Sequence, residues 1–320
     1  MRAELAVVRW TMAATGAARP GRWPTRAAII VRVARAGAVG FGEAAPLPGF
    51  GTDSLAQAHA DLARWIATGA TPASPSARFA VDTATAWLSA AAAGTTLARR
   101  WGAADDRPVA VADVVDDPAR AAAAVAAGAP ALKVKLDGHG DRARVAAIRA
   151  VAPTTALTAD VNQRWPLAEV TDRLADLAGL GLAYVEEPAA GLARCLARPL
   201  AVPIALDESL ASPDRDAWLP AALASGAVAA LVLKPTVLGG VGPCQALAAL
   251  AGQAQVAARI SHALEGPVAL HAARALAAAL APTAVHGLAA HPGLAAWHPA
   301  DGTDDDALDD ALARLAGAAP

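Results

Sequence analysis

Charged side chains close five short apolar runs between Lys133 and Lys234. The runs read Leu132-Lys133-Val134-Lys135-Leu136, Thr158-Ala159-Asp160-Val161-Asn162, Tyr184-Val185-Glu186-Glu187-Pro188, Ala205-Leu206-Asp207-Glu208-Ser209 and Val232-Leu233-Lys234-Pro235. The carboxylates of Asp160, Glu186 and Asp207 repel one another when brought together unless a cation neutralises them. Ligation by oxygen alone, with no His or Cys in the set, favours a hard ion, Mg²⁺ before others. Taken singly, each carboxylate is more simply a surface group or a helix cap. Three of them in register on successive elements reverse that preference.

Lys133 and Lys135 lie two apart in one run, so on a strand both face the same way. Lys234 closes a run on the far side of the carboxylate arc. A lysine inside an apolar enclosure is costly unless used, and neighbouring cations lower its pKa toward the range of a working base. A lysine on each side of a metal-held carboxylate suggests abstraction of the proton α to that carboxylate, with the metal stabilising the enediolate. Lysines snorkelling at strand ends are the plain alternative, which serves for one residue but not for all three together. A Schiff-base lysine of an aldolase ranks lower, because that chemistry needs no carboxylate triad. Asn162 shares a face with Asp160 and can touch the metal or orient its ligand. By strand alternation Glu187 and Glu208 point the other way, as partners behind the ligands or on the barrel wall. Gly239 and Gly240 could bring backbone N–H groups to an anion, or form only a turn.

The elements that must position these groups follow from the steps between them. Lys135 to Asp160 is 25 residues, Asp160 to Glu186 is 26, Glu186 to Asp207 is 21 and Asp207 to Lys234 is 27. Each step holds one strand, one helix and two loops, and chemistry at successive C-terminal strand ends is the pattern of a β/α barrel. The barrel is expected over 99–291, with strands near 109–115, 131–136, 155–162, 182–188, 203–209, 229–235, 255–261 and 284–289. Helices are expected between them, among them Asp117–Gly128, Leu167–Leu177 and Cys244–Gln253.

Residues 1–98 do not fit that period and form an α+β capping domain. Strands are expected over Glu4–Arg9 and Ala27–Val33. A helix capped by Ser54 runs to about Ala67, and a second spans Pro75–Ala93, with Phe79, Val81, Trp87 and Leu88 as core candidates. The Pro46–Gly51 loop carries Phe50 and reads as a simple connection or as a cover over the site. The Gly16–Arg26 stretch is expected to join it over the barrel mouth. The segment 292–320, with a terminal helix after Asp301–Asp310, is expected to pack on the capping domain.

Composition excludes several classes. The 320 residues carry a net charge of −2 and a pI near 6.4, with no basic patch for nucleic acid and no polybasic run for a membrane surface. Hydrophobic content of 55% is largely alanine, and no stretch approaches the ~18 uncharged apolar residues of a membrane span. The start lacks the apolar run of a signal peptide. Cys195 and Cys244 read as free thiols of a cytoplasmic protein. The histidines His271, His286, His291 and His298 show no metal spacing and read as structural, while His262 can line the pocket.

On Lys133-Val134-Lys135, Asp160-Val161-Asn162, Glu186-Glu187-Pro188, Asp207-Glu208-Ser209 and Lys234-Pro235, the chain resembles the enolase superfamily, muconate-lactonising-like branch, along nearly its whole length. Gly42-Glu43-Ala44-Ala45-Pro46-Leu47-Pro48-Gly49-Phe50, Ser76-Ala77-Arg78-Phe79-Ala80 and Ile260-Ser261-His262-Ala263-Leu264-Glu265 make it most similar there to the o-succinylbenzoate synthase family. The resemblance implies a modified TIM barrel, (β/α)7β in place of (β/α)8, with an N-terminal cap. It implies Mg²⁺, for which Mn²⁺ can substitute, on Asp160, Glu186 and Asp207. Lys135 would be the base and acid, Lys234 would stabilise the enediolate, and Lys133 would assist Lys135. A small carboxylate substrate would meet Phe50, Gly239, Ser261, His262 and Glu265. Gly266-Pro267 stands where small hydroxyl residues are common in the family. N-acylamino acid racemases and dipeptide epimerases of the superfamily share both lysines, so the activity is expected to be dehydration, with those or a cycloisomerase as alternatives. A catalytically silent ligand-binding barrel ranks last.

Overall fold

The structure, a computed structural model, describes residues 1–11, 25–50 and 53–290. Most of the Gly16–Arg26 stretch, Gly51, His291, His298 and the segment 292–320 lie outside the described residues. An antiparallel sheet of β1 (Arg2–Thr11), β2 (Thr25–Arg35) and β3 (Ala38–Ala44) opens the chain. Helices α1 (Leu55–Thr68), α2 (Pro75–Ala92) and α3 (Leu97–Arg100) follow. Ser54 caps α1 with a full capping box closed by Gln57.

The strand β3 escapes the sequence reading because Gly40 and Gly42 resemble breakers. They are there for contact. A Cβ on Gly42 would stand 1.9 Å from the Ala80 carbonyl oxygen, and one on Gly40 would stand 2.2 Å from that of Ala84. Alternate glycines on one strand face let the backbone of α2 lie directly on the sheet. Ile29, Val31, Val33, Leu62, Trp65 and Leu88 fill the core around them.

The second part alternates strands and helices. β4 (Ala110–Val111) and β5 (Asp113–Val115) share the first strand position, and α4 (Pro118–Ala126) follows with Asp117 as its cap. Then come β6 (Ala131–Lys135), α5 (Asp141–Val151), β7 (Ala156–Asp160), α6 (Val170–Leu177), β8 (Leu182–Glu186) and β9 (Ile204–Leu206). The chain continues through α7 (Arg215–Ala224), β10 (Val228–Leu233), α8 (Pro235–Leu238), α9 (Val241–Gln253), β11 (Ala257–Ile260), α10 (Pro267–Leu280) and β12 (Val285–His286). Strands β5 to β11 are hydrogen-bonded in sequence order. Strand β12 pairs with β4, and Gly287 bridges Ser261 beyond β11, which completes the ring. This is the expected modified TIM barrel with an N-terminal cap. Gly266 and Pro267 serve as N-cap and first residue of α10, a position proline suits because the missing N–H has no helical partner.

Outward strand residues such as Leu132, Leu157, Val185 and Leu231 pack against the helices in one large core. The interior beneath the charged groups includes Tyr184, Ala205, Ala230 and Val232, and the two alanines leave room for Tyr184 and the charged side chains above. Cys195 is exposed and Cys244 buried, and both are free thiols. No helix among the described residues is long and apolar enough to cross a membrane.

His286 closes the ring with its side chain as well. Its Nδ1 accepts from the Ile260 N–H at 3.0 Å, so Nε2 carries the proton and donates to the Ala281 carbonyl at 3.0 Å. Burial lowers the pKa to about 4 from 6.5. A depressed folded-state value means that the neutral ring stabilises the fold fully above pH ~6.5, and that this stabilisation is lost as pH falls through ~4. Chemical denaturation of the parent and of His286→Gln at stepwise pH should show a parent-specific loss on the order of 3 kcal/mol across that window.

Candidate active site

Strand register brings the charged groups together. Lys135 pairs with Asp160 across β6 and β7, and Asp160 with Glu186 across β7 and β8. Asp207 follows β9, and Lys234 follows β10. The three carboxylates are buried, at 1%, 2% and 5% exposure in chain order. The Nζ of Lys133 lies 2.8 Å from Glu186 Oε1 and 2.9 Å from Asp160 Oδ2. The Nζ of Lys135 lies 2.6 Å from the same Asp160 oxygen and donates to Asn162 Oδ1 at 2.9 Å. Lys234 donates to Asp207 Oδ2.

Electrostatics follow from burial against these partners. At Asp160 burial opposes ionisation, but Lys133 and Lys135 outweigh it and hold the carboxyl well below its usual range. Burial pushes Glu186 up to about 7, with Asp160 adding repulsion. Burial likewise pushes Asp207 up to about 7, against the pull of Lys234. Lys133 and Lys234 lose hydration on burial, yet their carboxylate neighbours raise both above the ordinary lysine value. For Lys133 and Lys234 that corrects the expectation of lysines depressed by neighbouring cations, because both ammonium groups sit in direct contact with carboxylates.

The residues behind this row depart from simple alternation. Asn162, Gln163 and Glu187 have positive φ of 48°, 60° and 39°, so the chain kinks where the strands end. Glu187 turns across to the neighbouring strand. It accepts from the Asp207 N–H at 2.7 Å, the Ser209 N–H at 3.2 Å, the Ser209 hydroxyl, and Gln163 Nε2 at 3.2 Å. Glu208 does not point away from the site. Its Oε1 accepts from Asn162 Nδ2 at 3.1 Å, and its buried Oε2 has no hydrogen-bond partner among the described residues. The Asn162 N–H donates to Asp160 Oδ1 at 3.0 Å, which fixes that ligand candidate's orientation.

Of the expected substrate contacts, Phe50 lies over the site, its ring centroid 4.4 Å from Lys234 Nζ. Ser261 donates to the Gly287 carbonyl at 3.1 Å. The His262 ring accepts the Leu264 N–H on Nδ1 and bonds the Ala289 carbonyl through Nε2. Glu265 accepts from the Ala263 N–H of its own loop. Gly239 does not offer its N–H to an anion, because both Gly239 and Gly240 donate to the Pro235 carbonyl. Their role is close packing: a Cβ on Gly240 would stand 2.3 Å from Asp82 Oδ2. His271 stacks on Trp87 at 4.8 Å.

Sequence reasoning missed Gln163, Ser209 and Arg26 as supports. Glu43 and Arg259 were detectable, since each is a lone charge inside an apolar strand. Arg259 stands 5.9 Å from the Tyr184 ring inside the barrel, below Glu186.

The donor set suits a hard cation. Four buried or half-buried carboxylates, Asp160, Glu186, Asp207 and Glu208, face three lysines, and Glu208 Oε2 has no hydrogen-bond partner among the described residues. As the side chains stand among the described residues, no three carboxylates group around one ion position, because the Lys133 ammonium lies between Asp160 and Glu186.

The fold is that of a barrel enzyme with a small α+β cap, and its charged row lies at the C-terminal strand ends. The chain belongs to the enolase superfamily: residues 116–315 match the enolase C-terminal domain-like family, and residues 3–88 match the MenC N-terminal domain. The o-succinylbenzoate synthase of Enterobacter sp. (strain 638) is 31% identical over 306 residues, covering 88% of this chain and 89% of that protein. The L-Ala-D/L-Glu epimerase from Bacillus subtilis superposes with a TM-score of 0.75 at 25% identity, over 90% of this chain and 89% of that one. A dipeptide epimerase from Enterococcus faecalis V583, solved with Mg and the dipeptide L-Leu-L-Tyr, has the same fold, with a TM-score of 0.75 at 21% identity over 89% of each chain.

Glu187 supports the site independently of any ligand. Removing its carboxylate strands two backbone N–H groups and two side-chain donors around Asp207. Glu187→Ala should cost roughly 3 kcal/mol in urea unfolding, with Glu187→Gln clearly milder.

Proposed function

We propose that the chain is an o-succinylbenzoate synthase, dehydrating 2-succinyl-6-hydroxy-2,4-cyclohexadiene-1-carboxylate to 2-succinylbenzoate, a step of menaquinone biosynthesis. Curated relatives of that name, similar along most of the chain, support the substrate. The asymmetry of the two lysines carries the mechanism. The Lys135 side chain is 47% exposed at the barrel mouth, whereas that of Lys234 is 10% exposed beneath Phe50. One lysine can exchange protons with solvent, and the other is a sealed positive charge.

Asp160, Glu186 and Asp207 would hold Mg²⁺, which when bound supplies positive charge to the substrate carboxylate and lowers the acidity barrier at its α-carbon. Lys135 Nζ takes the α-proton, and the C–H electrons move into the carboxylate to give an enediolate. Lys234 stabilises that charge from the opposite side. The enediolate collapses, the ring gains a double bond, and the β-hydroxyl leaves as water with the proton returned by Lys135. Asn162 orients Lys135 during both transfers. Lys133 keeps a positive charge beside them.

A racemase or epimerase is the second reading. It is favoured by the presence of a lysine on each face, which two-sided proton transfer requires. Lys234→Arg keeps the charge and removes a usable base. In the lyase it should retain measurable aromatisation, while Lys135→Arg should lose about 10²–10⁴-fold. EDTA, Asp160→Ala or Glu186→Ala should abolish turnover. N-succinylamino acids in D₂O form the control: fast deuterium uptake from both enantiomers, with no aromatisation, would assign the chain to the racemases.

A further inference from the structure

Two buried charges join the cap to the barrel at the place where the mouth loops meet. Arg26, 2% exposed, donates to four backbone carbonyls among the described residues. Its Nη1 donates to Pro46 at 2.9 Å and its Nη2 to Ala45 at 3.0 Å, both at the root of the loop that carries Phe50. Its Nε donates to Leu264 at 3.0 Å, and Nη2 also reaches Ala263 at 3.5 Å, both in the loop after β11. Glu43, 1% exposed, holds the other end of that second loop. Its Oε1 accepts from the Gly266 N–H at 2.6 Å and its Oε2 from the Ala269 N–H at 3.0 Å, the open donors at the start of α10. Glu265 and Glu43 supply the negative charge around Arg26.

A guanidinium is a rigid planar fork, so carbonyls bonded to one fork keep a fixed spacing. Here the fork spans two loops from different parts of the fold. Leu47, Phe50, Val237, Ala263 and Leu264 pack together just beyond it, and Phe50 reaches Lys234 from that packing. We infer that Arg26 and Glu43 are positioning residues for substrate selection, acting by registering the Phe50 loop against the 261–266 loop. The inference rests on the reading of these loops as the walls around the substrate.

Arg26→Met, Arg26→Lys and Glu43→Gln test it in the full chain. Lysine keeps charge and bulk but cannot span both loops. Glutamine sets an NH₂ group against one of two N–H donors. Each should raise KM about tenfold with kcat changed less than about threefold, and leave Mg²⁺ affinity by calorimetry unchanged. In a Phe50→Ala background the same substitutions should shift KM less than about twofold, because both act through one contact. Amide hydrogen exchange should accelerate in 45–50 and 261–266 together, a readout that needs no activity and stands if the proposed reaction proves wrong. Unchanged exchange in those loops overturns the inference. So does a KM effect that is additive with Phe50→Ala, or a lower melting temperature with KM untouched. If Arg26→Met fails to fold, Arg26→Lys and Glu43→Gln decide.

Discussion

Carboxylates buried side by side at the ends of neighbouring strands set the central constraint of this molecule. Such groups cannot all ionise in a dry enclosure without positive charge close by. The chain answers with lysines on the strands that flank the acidic ones. The parallel register does the placement: the pairing of β6 with β7 sets Lys135 beside Asp160, and that of β7 with β8 sets Asp160 beside Glu186. Lys133, one interior layer lower, reaches both acids from below. The alanines at 205 and 230 then follow as a packing consequence, because larger residues would fill the space the lysine stems and Tyr184 need.

The barrel was readable because its signal repeats. Apolar runs ending in charge recur at the spacing of one βα unit, and no other common arrangement does that four times in succession. The carboxylates and lysines were legible for the same reason, since a charge at the end of a buried strand stands out against its surroundings. Strand β3 was not legible. Its glycines look like breaks until the backbone of α2 is seen lying on them. Alternation predicted the wrong side for Glu208 because the strand ends at Leu206 and the chain turns into a short helical segment at Glu208. Gly239 misled in the opposite sense: a Gly-Gly pair can bind an anion, but here the local N–H groups are consumed by Pro235. Local pattern cannot report which long-range partner takes a backbone group.

The same limit explains why the mouth loops were only half legible. Their residues have no periodicity, and irregular backbone buried between two parts of a fold carries polar groups that no helix or sheet satisfies. Apolar contacts among Leu47, Phe50 and Leu264 cannot solve that problem, because they leave the carbonyls unpaired. Arg26 and Glu43 solve it from opposite sides, one serving carbonyls and the other N–H groups. A cap held by apolar packing alone could slide across the barrel rim at little cost, since such packing has no direction. A cap held by a fork and a carboxylate on named backbone atoms has one position. That directionality lets a loop without secondary structure keep the Phe50 ring 4.4 Å from the Lys234 ammonium, and so ties the geometry above the charged row to strands laid down at the other end of the sequence.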